Sequence, residues 1–137
     1  MNFKKYPQRE LGHILSIPFI WGMLFFFIAF DVALEIYHQI CFRLYKIPLV
    51  NRKKYVKIDR HKLKYLSFLD KMRCVYCGYG NGILAYAVKV TGETEKYWCG
   101  IKHEKDKNFA EPKHQKNFAE FGDNADFEQK YLKEKND

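Results

Sequence analysis

Between Leu11 and Phe30 the chain has no lysine, arginine, aspartate or glutamate, although these four types make up 29% of the sequence. The twenty residues LGHILSIPFIWGMLFFFIAF would span about 30 Å as a helix, the thickness of the hydrocarbon core of a bilayer. Pro18 falls early enough to bend such a helix without breaking it. A small-x-small cleavage site is also missing, because the run continues into Asp31, Val32, Ala33, Leu34 and Glu35. That argues against a cleaved signal peptide, the main rival reading, and favours an uncleaved anchor.

Three further absences narrow the chemistry. No βαβ pattern surrounds the Cys-x-x-Cys, as a thioredoxin-type redox site would require. There is no second Cys-x-x-Cys, and the short strands of a rubredoxin-like fold are not evident. There is no second Glu-x-x-His, so a complete di-iron set cannot come from this chain alone. Large aliphatic residues are also few past Leu84. Outside the apolar run, roughly 90 residues remain for one small domain, which would gain from a metal cross-link.

What the chain does have is positive charge, +8 in all, with nine Lys or Arg after Lys46 up to and including Arg73. A basic block beyond a membrane helix marks the cytoplasmic side and contact with anionic lipid head groups. Nucleic acid is the weaker reading of the same charge. Arg43, Lys46, Arg52, Lys53, Lys54 and Lys57 outweigh Lys4, Lys5 and Arg9 on the other flank. The C-terminal bulk is therefore expected in the cytoplasm, where thiols stay reduced and available to metals.

After Phe30 the pattern stays helical to Pro48. Val32, Ile36, Ile40 and Leu44, with Ala33, Tyr37, Cys41 and Ile47, form an apolar stripe. Asp31, Glu35, His38, Gln39 and Arg43 lie opposite. This predicts either the lower part of one long helix or a second, interfacial one. Asp31, Glu35 and His38 share a helical face, and Glu-x-x-His is the spacing of di-iron ligands on bundle helices. The plainer reading is a polar stripe where the helix leaves the lipid.

The sharpest motif is Cys74-Val75-Tyr76-Cys77-Gly78, followed by Cys99-Gly100-Ile101-Lys102-His103. Two thiolates on a tight turn, a third thiolate and an imidazole suit tetrahedral zinc, and could also hold iron. The metal set is thus Cys74, Cys77, Cys99 and His103, with His114 as a spare imidazole. A closed set of four leaves no position for substrate and argues against hydrolysis at the metal. Cys41 reads as a small apolar residue. Asn81 is placed to cap a helix joining the two half-sites. Tyr55–Asp59 suggests a short strand, and Leu63, Leu66, Leu69 and Met72 a brief helix. Asp59-Arg60-His61 reads as surface. Residues 105–137 are polar, repeat KNFAE at 107–111 and 116–120, and should end in a short helix from Asp123.

The expected organisation is a basic N-terminus (1–10), a transmembrane and amphipathic helix (11–47), a basic connector (48–73), a metal-binding module (74–104) and a polar tail (105–137). The fold class is mainly α.

The stretches IDRHKLKYL, CVYCGYGNGILAYA, TEKYWCGIKHE and FAEFGDNADF resemble a family of small, uncharacterised bacterial membrane proteins. Its members read similarly to CxYCxYANG and EQYWCPIKH. The resemblance covers nearly the whole chain and implies a bacterial inner-membrane location and a shared cluster at Cys74, Cys77, Cys99 and His103. Gly100 stands where a proline is usual and Gly80 where alanine is expected. The resemblance carries no activity.

The leading expectation is a single-pass membrane accessory protein that presents a cytosolic zinc or iron module to a membrane or cytosolic protein partner. The alternatives are an electron-transfer protein serving a membrane oxidase or desaturase, and a membrane enzyme using Asp31, Glu35 and His38.

Overall fold

The computed structural model describes residues 7–133. Most of the basic N-terminus and the last residues of the tail lie outside this range. The described chain is mainly helical, and no named strand occurs in it. Its one bridge joins Ile101 to Ala119. Three α-helices follow in order: α1 (Glu10–Leu44), α2 (Phe68–Trp98) and α3 (Asn124–Phe127). The chain divides into two units, Met1–Ala87 and Val88–Asp137.

The apolar run and its amphipathic extension form one helix of 35 residues. At about 1.5 Å per residue it measures ~52 Å, well beyond the ~30 Å of a hydrocarbon core. By length and composition it can cross a membrane. It ends four residues before Pro48. The N–H of Ile47 reaches back to the Phe42 carbonyl at 2.9 Å and that of Lys46 to Arg43 at 3.3 Å. This is a Schellman ending, and Lys46 takes the left-handed φ of 57° that glycine usually supplies there.

The lower half of α1 is inside out relative to a helix folded in water. Val32, Ile36, Ile40 and Leu44 are all more than half exposed, at 56, 57, 55 and 73%. Leu34, His38 and Phe42, four residues apart, are the buried ones. The face bearing Leu34, His38 and Phe42, flanked by half-buried Asp31 and Glu35, therefore packs against the rest of the first unit, and the Val32–Leu44 stripe faces outward.

After α1 the chain turns back along it as an extended connector. Asn51 caps a 3-10 turn at Arg52–Lys54 by accepting from the Lys53 N–H. The short strand expected at Tyr55–Asp59 does not form, because no second strand lies beside it to share its hydrogen bonds. The connector rests on α2 instead. A Cβ on Gly82 would stand 2.9 Å from Val56 Cα, and one on Gly78 would stand 3.2 Å from the Lys57 carbonyl. These two glycines, one helical turn apart, let backbone lie on helix.

Ser67 opens α2, accepting from the Asp70 N–H while its hydroxyl donates to the Asp70 carboxylate. The helix then runs 31 residues without interruption. The brief helix, the cysteine knuckle and the joining helix expected separately are one element. Asn81 does not cap a start: it lies mid-helix, and its amide donates to the Cys77 carbonyl at 2.9 Å. Within the first unit, α2 runs parallel to α1, with Tyr76 beside Trp21 and Phe27, Tyr79 at Asp31, and Tyr86 at Glu35 and His38. Ile83, Tyr86 and Ala87 complete that unit's core.

In the second unit, α2 ends at a turn where the N–H groups of Cys99 and Gly100 both reach the Glu95 carbonyl. Gly100 takes φ of +62°, which the ring of a proline forbids. A Cβ there would also press on the Tyr131 ring. Val90, Phe118 and Ala119 are the buried apolar residues of this unit. Asp123 caps α3 by accepting from Asp126, and a π-helical turn, Glu128–Leu132, follows. The expected C-terminal helix is present as far as it is described.

Candidate functional site

Two sets of residues carry chemistry. The first is the carboxylate–histidine face of α1, which packing places inside the first unit. The Arg52 guanidinium forms a bidentate pair with Asp31, one arm at 2.7 Å, and the Tyr79 hydroxyl donates to the same carboxylate at 2.6 Å. Four residues on, Glu35 accepts from Gln39 at 2.8 Å and from the Tyr86 hydroxyl at 3.0 Å. Arg43 in turn donates to Gln39.

His38 is 1% exposed, and both its ring nitrogens are engaged. Nε2 lies 2.9 Å from the Val50 backbone N–H, which can only donate, so Nε2 must accept. The proton of the neutral ring is thereby assigned to Nδ1, 2.8 Å from the Tyr86 oxygen. The order is fixed: His38 donates to Tyr86, and Tyr86 donates to Glu35. The Arg52 guanidinium also lies over the Tyr86 ring at 5.7 Å.

The environment shifts the groups outside α1 in consistent directions. Burial first, then the bond to Asp31, pushes the Tyr79 phenol up to about 12. Burial and the bond to Glu35 push Tyr86 higher still. The hydrogen bond to Asp31 raises Arg52 further. The two phenols therefore stay protonated near neutrality, and the carboxylates of Asp31 and Glu35 both accept from neighbouring side chains. The arrangement clamps α1, the connector and α2 together; it offers no vacant base.

The second set is the cysteines and histidines. Cys74 and Cys77 lie one turn apart on α2, half-buried and exposed respectively. They border a cleft of about 550 Å³ with Lys57, Asp59, Arg60 and Gly78. They sit on regular helix and not on a knuckle. The glycine after Cys77 admits the connector backbone, at the Lys57 carbonyl. Cys99 and His103 belong to the second unit. Cys99 is exposed just past α2, and His103 packs edge-on against Phe109 with ring centroids 5.1 Å apart. His114 is taken up by Glu95 at 2.7 Å, its ring seated on Gly92. Among the described residues no three His, Cys, Asp or Glu side chains form a group that could hold a metal ion. Cys74 and Cys77 are neighbours one turn apart on the same helix.

Sequence reasoning found Asp31, Glu35 and His38 but missed Arg52, Tyr79 and Tyr86, which complete their bonds. A signal existed. Tyr79 and Tyr86 are two helical turns apart, the same interval that separates Asp31 from His38. Two parallel helices with polar groups at matched intervals can pair them.

Comparison with known proteins adds no assignment: no family model, no curated protein and no solved structure matches the chain.

Proposed function

We propose that the chain is a single-pass accessory protein of the bacterial inner membrane, anchored by α1, with its C-terminal residues on the cytoplasmic side. The observation that carries the anchor is the inside-out packing of α1. Asp31, Glu35 and His38 are turned into the protein, while Leu11, Phe19 and Phe25 are more than two-thirds exposed, and the Val32–Leu44 stripe continues the same exposure. Leaving a large aliphatic side chain in water forfeits roughly 1.5–3 kcal/mol each. A row of them is stable when lipid is the solvent.

The accessory role is favoured over catalysis by the saturation of Asp31, Glu35 and His38, whose polar atoms are occupied by Arg52, Tyr79, Tyr86, Gln39 and Val50. Cys74, Cys77, Cys99 and His103 are the proposed donors to zinc, with iron as the alternative. Their spacing in the sequence supports this, and α2 supplies the first pair. The orientation rests on the basic connector.

A reporter fused after Asp137 tests the proposal. Activity on the cytoplasmic side, with the protein retained in carbonate-washed membranes, is the expected result. Release by carbonate would remove the anchor, and a periplasmic reporter would reverse the orientation.

A further inference from the structure

The face of α1 that points away from α2 is built on a heptad spacing. Phe26, Ala29, Ala33, Ile36 and Ile40 follow one another at alternating steps of three and four residues, and Phe19 and Gly22 carry the same steps upstream. Residues so spaced fall in one seam along a helix, and every one of them is exposed. In the same register Leu34, His38 and Phe42 take the far side of α1, where they are buried. Arg43 is the next position and ends the seam.

Lipid accounts for only part of this exposure. The helix is about 20 Å longer than a hydrocarbon core, so acyl chains cannot cover all of its outer face. The seam itself continues past Phe30, the last residue of the uncharged run, by about 15 Å. What covers it must be apolar across the core and stay apolar beyond it, and α1 is itself such a helix. The seam also complements itself. In a parallel pair, each Phe26 would enter a hole bordered by Gly22 and Ala29 of the second copy. Small residues at such positions let backbones approach closely, which is what holds helices together in lipid.

The area is sufficient. Phe19 and Phe26 are 76 and 63% exposed, and at roughly 150–250 Å² per aromatic side chain the four in a pair bring about 500 Å² to the interface. Ile36, Ile40 and the small residues add a comparable amount, which reaches the ~1,000 Å² of a specific interface.

We propose that α1 pairs with α1 of a second copy of this chain, parallel and in register, along the seam from Phe19 to Ile40. The inference rests on α1 being the membrane anchor and deepens that reading by naming a partner. Copies inserted in the same direction run parallel, and a two-fold axis between them brings each seam residue to its own counterpart.

Energy transfer in vesicles tests the pair. Full chains carrying a donor or an acceptor fluorescent protein after Asp137 are reconstituted together in phosphatidylcholine vesicles, and transfer is followed as lipid dilutes the protein. The expected result is transfer above that of random proximity, rising in proportion to the acceptor fraction as in a two-membered complex. Gly22→Leu should weaken association by about tenfold or more, the scale of one overpacked core position. Nothing lies within 4 Å of a Cβ at Gly22 in the single chain, so its fold should be untouched, with helix content by circular dichroism unchanged. Val32→Leu, exposed but outside the seam, should leave the pair intact. Transfer no greater than random proximity overturns the proposal. So does transfer that survives Gly22→Leu, which means pairing through another face, and so does equal weakening by both variants. Retention in carbonate-washed membranes is read on the same samples. Retained chains without transfer overturn the pair alone, whereas released chains overturn the anchor and the pair with it.

Discussion

At the scale of single residues, the informative groups are two tyrosines. Tyr86 bridges Glu35 and buried His38 with one hydroxyl. Tyr86→Phe keeps the ring and leaves an Nδ1 proton and a carboxylate oxygen unpartnered. The expected loss is about 1–3 kcal/mol, measured as a lower midpoint in thermal unfolding followed by near-UV circular dichroism in detergent. An unchanged midpoint would remove the clamp as a stabilising element. Tyr79 gives the pH dependence. Its folded value near 12 lies above the ordinary 10, so folding favours the protonated phenol. Its contribution is complete below pH 10 and disappears as pH rises from 10 towards 12. In a spectrophotometric titration of phenolate, wild type minus Tyr79→Phe should therefore show a group ionising near 12. A difference titrating at 10 would mean that the hydroxyl does not meet Asp31.

At the scale of elements, packing is decided where the connector crosses α2. The Gly82 site has backbone on its open side, Val56 Cα at 2.9 Å and the Tyr55 carbonyl at 3.0 Å, and backbone cannot move aside as a flexible side chain can. Gly82→Ala should destabilise the first unit by about 1–3 kcal/mol, the usual cost of overpacking. Gly22→Ala is its control, since nothing lies within 4 Å of a Cβ there and alanine favours helix by roughly 0.5–1 kcal/mol. Melting both variants in the same detergent checks this; equal effects would mean that the connector does not rest on α2. The same crossing explains Gly78. A glycine after Cys-x-x-Cys invites a metal-knuckle interpretation. In this chain the glycine recurs one turn later at Gly82, and that interval marks a helix face approached by backbone.

At the scale of the whole molecule, the open quantity is metal. The proposed donors Cys74, Cys77, Cys99 and His103 predict about one zinc or iron per chain in protein purified in detergent, lost in Cys77→Ser. Elemental analysis counts the ion, and an absorption spectrum separates colourless zinc from iron, and so the accessory reading from electron transfer. Folded, full-length protein with no transition metal and four freely titrating thiols overturns the metal part of the proposal. The proposed anchor would stand without it, because the exposed apolar side chains of α1 and ligation by cysteine involve different residues.

The sequence by itself determined a first helix long and apolar enough to cross a membrane, the mainly helical class and the polar face at Asp31, Glu35 and His38. These follow from local composition and from periodicity along a single helix, which a chain carries whatever its neighbours do. It also located the end of α1 near Pro48 and the short helix after Asp123, since caps and helix breakers act within a few residues. Tertiary structure decided which face of α1 turns inward. Periodicity separates two faces but does not say which is solvent-side when lipid can solvate the apolar one. It also decided that Arg52, Tyr79 and Tyr86 satisfy the α1 carboxylates, because hydrogen bonds across 21 to 51 residues leave no local trace. It decided, last, that Cys74 and Cys77 lie on helix. Two cysteines three apart are compatible with a knuckle or a helical turn, and backbone packed on Gly78 and Gly82 favours the helix.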